Sequence, residues 1–563
     1  MRRIEGYIMN KDYELERLKA LLAEKERLLA EKDEKLKEKD KKIQEQDEII
    51  EKQKASIENM MQALLHSQKV MFGRKTEKAQ YDGQLSLFDN DEKLAEQINK
   101  ETEKITINTY KRTPRKAGVR KEMLDNLPKE VVEYVIDENQ KCSVCGGELA
   151  VIGKVPVRTE VEFQPAKLIV KNIVRQVAKC KKCGANGKGN KNIEKAAVPE
   201  KILSHSIATP SLVAQIMYQK FAMGVPLNRQ ENDFYRMGLV LPRSNMAHWI
   251  IRCSDMWLTP IYERIHSNII HNCEILHMDE TRIQVNKEDG KKASSQSFMW
   301  VIKTGKCEEI KATFFYYSRT RSREIALTLL KGFEGYLTTD AYTAYDNMNL
   351  EKVQNNFCWA HLRRYFIESI PLDSKGNEIP GSKGDEGREF INLLFYMEEQ
   401  MSGLTYDAKK ARRQTASRKL LDVFWQWVEY TSTLNTTNEK LTKALNYSLN
   451  HREKLETFLE DGRLEISNNF CESHIRPFAT ARRAWLFADT PNGAKANAVL
   501  YTLVESAREN NLNVYEYLDY LLATMPNIDF CNHPDLIDDI LPWSDKLPER
   551  CHLVQKQKKS FKK

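Results

Sequence analysis

From residue 11 to residue 68 the chain has neither proline nor glycine and is built almost wholly from Glu, Lys, Leu, Asp, Gln and Ile. Within that stretch Leu15, Leu22, Leu29, Leu36, Ile43, Ile50, Ile57 and Leu64 recur every seven residues without a break. A strand changes face every two residues, so this spacing specifies a helix, roughly 80 Å long at ~1.5 Å per residue. The second seam is poor, because Leu18 and Met60 flank Lys25, Lys32, Lys39, Gln46 and Gln53. Half a zipper implies weak or regulated pairing through a coiled coil. The alternative is a solvated single helix held by Glu–Lys pairs.

The remainder of a 563-residue chain is too long for one core and divides into several domains. Charged residues make up 30%, mean hydropathy is −0.59, and no apolar run approaches the ~18 residues needed to span a bilayer. The opening MRRIEGYIMN lacks the apolar stretch of a signal peptide, so the expectation is a cytoplasmic protein with no membrane partner. A net charge of +8 permits an anionic partner without demanding one.

Lys111, Arg112, Arg115, Lys116, Arg120 and Lys121 make a basic linker that could lie along phosphates or simply be solvated. Beyond it, strand-like VVEYVI and KLIVKNIVRQVAKC are bracketed by CSVC (Cys142, Cys145) and CKKC (Cys180, Cys183), and Gly146 and Gly184 follow the two knuckles. Four thiolates in paired Cys-x-x-Cys knuckles suit one tetrahedral structural zinc. The 34 residues between the knuckles leave room for a hairpin, as in a long zinc ribbon.

Residues 211 to 270 read as helices. SLVAQIMYQKFAMG stops at Gly224, PLNRQENDFYRMG stops at Gly238, and LPRSNMAHWIIRC opens a third helix with Ser244 as its expected cap. Two short helices and then one with a polar start (Arg243, Ser244, Asn245, His248) give the outline of a helix-turn-helix, with those four residues as candidate DNA contacts.

The run ILHMDETRIQV (275–285) has the pattern of a buried strand but carries Asp279 and Glu280 side by side. Burying a carboxylate without a partner costs several kcal/mol. FMWVIKTG and ATFFYYS follow as strands, SREIALTLLKGF as a helix, GYLTTDAYTAYD as a strand running into Asp340, and VQNNFCWAHLRRYF as a strand leading into a helix. That order matches a ribonuclease-H-like fold, in which the acid of the first strand and the acid ending the fourth are neighbours. Like charges there call for a cation, and Mg²⁺ (or Mn²⁺) suits oxygen ligands and substrate phosphate. A third acid is expected on a helix after the last strand. LEISNNFCESHIRPFATARRAWLF (464–487) supplies Glu472 on a helix capped by Ser467, with Arg476, Arg482 and Arg483 beyond it as candidates to meet DNA. Between the two parts lies a largely helical insertion with Lys409, Lys410, Arg412, Arg413 and FWQWVEY. Trp300 and Trp485 read as core, and His361, Arg363 and Arg364 as residues that pack or pair within the fold as readily as they touch DNA.

The order of heptad helix, FGRKTEK…QLSLF, CSVC…CKKC, PLNRQENDFYRMGLVLPRSNMAHW, HMDET, TTDAYTAYD, CWAHLRRYF, NNFCESHIRP and AWLFADT resembles the insertion-sequence-66 family of bacterial transposases over nearly the whole chain. The resemblance implies an Asp-Asp-Glu transposase, a metal-dependent DNA endonuclease and strand transferase. It would act on its element's ends and on target DNA in the bacterial nucleoid. Carried over by motif, the triad is Asp279, Asp340 and Glu472, and Glu280 has a supporting role. One departure is Ser467-Asn468-Asn469, where the family has Asp-Asn-Asn. The heptad helix makes a homo-oligomer through the N-terminal coiled coil the expectation, and the resemblance implies small accessory proteins of the same element. The competing reading is a catalytically silent DNA-binding regulator descended from such an enzyme.

The expected fold class is multidomain α+β. It comprises a coiled-coil helix (1–70), a basic linker (71–128), a zinc-ribbon-like domain (129–200) and a helix-turn-helix (201–268). A ribonuclease-H-like α/β catalytic core (269–367 and 464–510) follows, interrupted by a helical insertion (368–463), with a C-terminal helical tail (511–563).

Overall fold

The structure is a computed structural model that describes residues 2–72, 168–179, 193–346 and 350–553. The four knuckle cysteines and the basic run at 111–121 lie outside the described residues.

Helix α1 (Arg2–Phe72) is unbroken, as a stretch free of Pro and Gly from 11 to 68 requires. Its sevenfold column faces water: Leu22, Leu36, Ile43, Ile50, Ile57 and Leu64 are each 45–62% exposed. Exposed pairs such as Lys35–Glu31 (2.7 Å) and Lys42–Glu38 (2.8 Å) line the helix, at four-residue spacing. A different face, at Asn59 and Gln62, docks on the body. The Asn59 amide donates to the Thr437 carbonyl at 2.7 Å, and Gln62 exchanges hydrogen bonds with both backbone groups of Leu372.

After a short antiparallel pair, β1 (Val177–Lys179) and β2 (Ile193–Lys195), come α2 (Pro210–Met217), α3 (Leu227–Arg236), α4 (Arg243–Cys253) and α5 (Thr259–Asn272). Gly224 and Gly238 do end the first two units, at φ +69° and +89°, a region open to glycine at little cost. The expected cap Ser244 is corrected. The cap position of α4 is Pro242, and the Arg243 N–H donates to the Glu231 carboxylate at 3.0 Å, so an acid from α3 takes over the capping role. A π turn at Ser254–Leu258 joins α4 to α5.

The central sheet has the order β5-β4-β3-β6-β7, with β3 (Ile275–Gln284), β4 (Gln296–Thr304) and β5 (Thr313–Ser318) antiparallel. β6 (Gly335–Thr339), which follows helix α6 (Arg323–Leu329), and β7 (Val353–Phe357), which follows the short α7 (Thr343–Asp346), run parallel to β3. The strands β3 to β5 are rich in β-branched and aromatic residues, and Met278, Ile283, Trp300, Ile302 and Phe315 are wholly buried between helices.

Helix α8 (Trp359–Ser369) leads into the insertion: α9 (Lys383–Gln400), α10 (Tyr406–Arg412), α11 (Arg418–Ser432), α12 (Glu439–Asn450) and α13 (Arg452–Glu456). Phe424, Trp425, Leu421, Leu445 and Phe458 form its own core against Trp359 and Phe357. A π turn at Arg413–Ser417 joins α10 to α11, and there Arg413 is turned inward and completely buried. Read in sequence as part of a basic stretch, Arg413 is instead a bolt. Its guanidinium grips Glu398 and donates to the carbonyls of Phe458, Asp461 and Leu464, the segment by which the chain returns to the sheet.

Helices α14 (Asn469–Trp485), α15 (Pro491–Glu509) and α16 (Val514–Thr524) complete the body. α15 covers the edge strand β5. Thr502 and Ser506, one turn apart, accept the outward N–H groups of Phe315 (2.9 Å) and Thr313 (3.2 Å), which blunts an otherwise open sheet edge. Trp300 is core as expected, whereas Trp485 is only partly buried.

On α15, burial first, and then Glu509, lift the Glu505 carboxyl to about 7 even though Arg508 pairs with it. The native state therefore holds this proton more tightly than the unfolded chain, so stability is lost as pH rises from the ordinary carboxyl range to about 7. Glu505→Gln is expected to raise Tm more at pH 8 than at pH 5, a gain on the order of 2 kcal/mol, readable by calorimetry at the two pH values.

Candidate active site

Strand β3 brings Asp279 to the sheet's centre, and β6 delivers Asp340 just past its last residue. The parallel register pairs Leu276 with Leu337 and His277 with Thr338, and Asp279 and Asp340 each follow that last pair by two residues. Neighbouring strands lie ~4.8 Å apart, so these carboxylates are close enough to repel. The Asp279 carboxyl accordingly sits well above the usual range. Burial is the first cause, and the negative charges of Glu280, Asp340 and Glu472 add to it. Asp279 itself accepts only the Glu280 N–H, at 2.8 Å, and no cationic side chain is paired with it among the described residues.

Glu280 behaves differently. It forms an ion pair with Arg321, accepts the Tyr345 hydroxyl, and is almost wholly buried. Arg321 in turn rests on the Tyr342 ring at 3.6 Å, and the Tyr342 N–H reaches the Asp340 carboxylate at 3.3 Å. One acid of the β3 pair is thus neutralised by a local cation, whereas its neighbour is left among acids.

The helix bearing Glu472 is fastened to the same strand. Its cap is Asn468, not Ser467, and Glu472 lies in the first turn of α14. The Asn468 side chain does not close on its own helix, because it is used elsewhere. Its amide donates to the Met278 carbonyl at 3.0 Å, and its oxygen accepts from His277 Nδ1 at 3.1 Å. Burial holds His277 neutral, its pKa lowered to about 4. The Asn468 N–H donates to Cys358 Sγ at 3.0 Å, and Cys358 donates its own N–H to Thr339, the residue before Asp340. Cys358 therefore ties the ends of both acid-bearing elements, and burial pushes its thiol up to about 12, where it stays protonated. His361, three residues on, faces Glu472 at 3.9 Å. Asn468, Cys358 and Arg321 were missed as support for the site. The repeated Asn in SNNF and the Cys that opens CWAH were the available signals.

The other acid of this segment, Glu465, is engaged by Lys306 at 2.5 Å, so it does not join the cluster. Of the candidate DNA contacts, Arg243, Ser244, Asn245 and His248 are exposed on α4, and Arg476 and Arg483 on α14. Arg482 is partly spent on the Arg282 carbonyl.

Asp279, Asp340 and Glu472 are each half-buried and open to solvent. No three His, Cys, Asp or Glu side chains among the described residues already converge on one point at coordinating distance. The residues supply two neighbouring carboxylates with a third acid beside them, a set of hard oxygen donors in which Asp279 has no paired cation among the described residues. That fits Mg²⁺, which is commonly held by one or two carboxylates plus substrate phosphate rather than by a complete protein cage.

Residues 205–496, more than half of the chain, match the family described as Transposase IS66 family. The chain belongs to that family. Residues 139–184, which hold all four knuckle cysteines, match the zinc-finger binding domain of transposase IS66, and residues 59–132 match Transposase C of IS166 homeodomain. Two Sinorhizobium fredii (strain NBRC 101917 / NGR234) proteins are similar to this IS66-family chain. Uncharacterized protein y4jD is 27% identical over 437 residues, 75% of this chain and 81% of its own. Uncharacterized protein y4qI is 27% identical over 512 residues, 87% and 89% respectively. The Drosophila P element transposase strand transfer complex aligns at 16% identity over 59% of this chain and 86% of that one. Its TM-score of 0.22 carries no argument. No helix among the described residues is long and apolar enough to cross a membrane.

Proposed function

We propose that the chain is an Asp-Asp-Glu transposase that binds the ends of its own insertion sequence, cuts DNA and joins it to a target. The observation that carries this reading is the contrast on β3, where Glu280 has Arg321 and Asp279 has only other acids. Stability alone would have paired or removed the second carboxylate, and a charge left uncompensated in this way marks a functional site. The strand order, with three antiparallel strands followed by two parallel ones, supports a ribonuclease-H-like core. The proposed triad is Asp279, Asp340 and Glu472, and when Mg²⁺ or Mn²⁺ is bound it supplies charge for the phosphorus centre under attack.

In the cut, a water oxygen bonds to phosphorus and gives its proton to solvent as the P–O3′ bond breaks, and the 3′ oxygen leaves with the electron pair and takes up a proton. In the joining step that 3′ hydroxyl gives up its proton and attacks a target phosphorus, whose own P–O3′ bond breaks, so the target's 3′ oxygen leaves with the electron pair and is protonated. Asp279 and Asp340 bind from the sheet, Glu472 closes from α14, and Asn468 with Cys358 keeps the three in register. The exposed residues of α4 would read the terminal repeat, with Arg476, Arg482 and Arg483 meeting phosphate beside the reacting strand. A paired α1 would use its exposed sevenfold column, which leaves the Asn59–Gln62 face on the body. Incubating the full chain with a duplex carrying the element's end and Mg²⁺ should give a cut at that end. A chain that binds the duplex but never cuts it would support the silent-regulator reading instead.

Cys142, Cys145, Cys180 and Cys183 are the proposed ligands of one structural zinc. Elemental analysis of purified protein should give one equivalent per chain. Such ligation contributes on the order of 10 kcal/mol of apparent binding energy, so Cys142→Ser should release the metal and unfold that module. Full zinc retention in Cys142→Ser would contradict the assignment.

A further inference from the structure

A groove of about 440 Å³ runs between α4 and the loop that precedes α2, away from the acids of the sheet. Its walls carry Asn245, His248 and Arg252 from α4 and Ser204, His205 and Ser206 from the loop, and no acidic side chain lines it. Asn245, His248 and Arg252 are spaced three and four apart, so they form one stripe along the exposed side of α4. Arg252 is exposed and donates to the Met256 sulfur at 3.6 Å, with no carboxylate paired to it among the described residues.

The loop wall is anchored by burial and hydrogen bonds. Ile202 and Leu203 are buried as pegs, the Trp257 indole donates to the Ile202 carbonyl at 2.9 Å, and Ser206 accepts the Ala208 N–H at 3.0 Å. Between those anchors His205 is held at φ +55°, a conformation that costs a non-glycine residue free energy, with its side chain in the groove. A concave wall that sets these donors among Leu203, Ile207, Trp249 and Met256, with no acid, suits an anion carried on a larger molecule.

We propose that this groove holds the sugar-phosphate backbone of one DNA strand, with Arg252 and His205 contacting phosphate, while the first turn of α4 meets base edges. Arg252 lies nine residues beyond Arg243, roughly 13 Å along the helix axis, comparable to the ~12 Å width of the major groove, so with the first turn in the groove Arg252 falls near its phosphate rim. The inference rests on the duplex-binding role given to α4 above and adds a second wall to it. Phosphate contacts fix register and carry no base information.

The test uses the full chain, fluorescence anisotropy, an element-end duplex and a scrambled duplex of equal length, over a series of salt concentrations. Arg252→Gln should lower the slope of log K against log salt by about one and weaken both duplexes alike. His205→Gly removes the imidazole and suits the left-handed backbone, so it should weaken both duplexes alike without harming the fold. Asn245→Ala should instead change the ratio between the two duplexes. If the Arg252→Gln, His205→Gly double variant keeps the parent's slope and affinity, the groove is not a backbone site, whatever the parent binds. If the parent itself binds duplex with no salt dependence, the DNA-binding role of α4 falls together with the groove.

Discussion

Glu472→Gln is expected to lower Mg²⁺-dependent cleavage of an element-end duplex by roughly two to four orders of magnitude, whereas Glu465→Gln stays close to the parent. The two acids are seven residues apart in one segment, and composition does not separate them. Their surroundings do. Glu465 is already neutralised by Lys306 at 2.5 Å, while Glu472 lies in the first turn of α14 and acts electrostatically on Asp279. Losing Glu465 removes one partly exposed ion pair, worth little. Losing the charge of Glu472 removes a direct ligand of the proposed metal. DNA binding, measured by anisotropy, should survive both changes. The opposite ranking of the two variants in a single-turnover assay would refute the triad.

Arg413→Met is expected to cost about 3–5 kcal/mol of the transition that unfolds the insertion, measured by urea denaturation. The change strips Glu398 of its bidentate partner, leaving Lys409 at 3.0 Å, and leaves the buried carbonyls of Phe458, Asp461 and Leu464 without their donor. A methionine fills much of the volume, so the loss reports on charge and hydrogen bonding rather than on a cavity. Arg413→Lys keeps a charge but cannot span the carboxylate and three carbonyls, so it should fall between the two. Because the gripped segment leads directly to Asn468 and Glu472, cleavage should fall in step with stability. An Arg413→Met chain as stable as the parent would show that these contacts are not limiting.

The linkage of Glu398 fixes the sign of its pH effect. Burial opposes its charge, but Arg413 and Lys409 together bring its pKa below the ordinary value. Its contribution is therefore present above the usual carboxyl range and is lost as acid drives pH down through the depressed native value.

Periodicity made the regular elements readable from sequence. The seven-residue column marked α1, runs of strand-forming residues marked β3 to β7, and Gly224 and Gly238 marked two helix ends. The caps were misread for a shared physical reason. Ser244 and Ser467 have the right chemistry, but Glu231 comes from another helix to serve the start of α4, and Asn468 fastens α14 to β3 instead of to itself. Propensity is local, whereas both outcomes are tertiary. The two adjacent acids of β3 could be noticed at once, yet Arg321, 41 residues from Glu280, is invisible to any window. Arg413 sits in a run of basic residues, and only the π turn at 413–417 shows why it faces inward.

The claim on which the rest depends is that Asp279 and Asp340 share a divalent cation. Counting bound Mn²⁺ by electron spin resonance in the zinc-loaded full chain, with an element-end duplex present, tests it without relying on turnover. The parent and Glu465→Gln should retain the same bound Mn²⁺, and the Asp279→Asn, Asp340→Asn double variant should lose it while still binding the duplex. A double variant that holds as much Mn²⁺ as the parent would contradict the account.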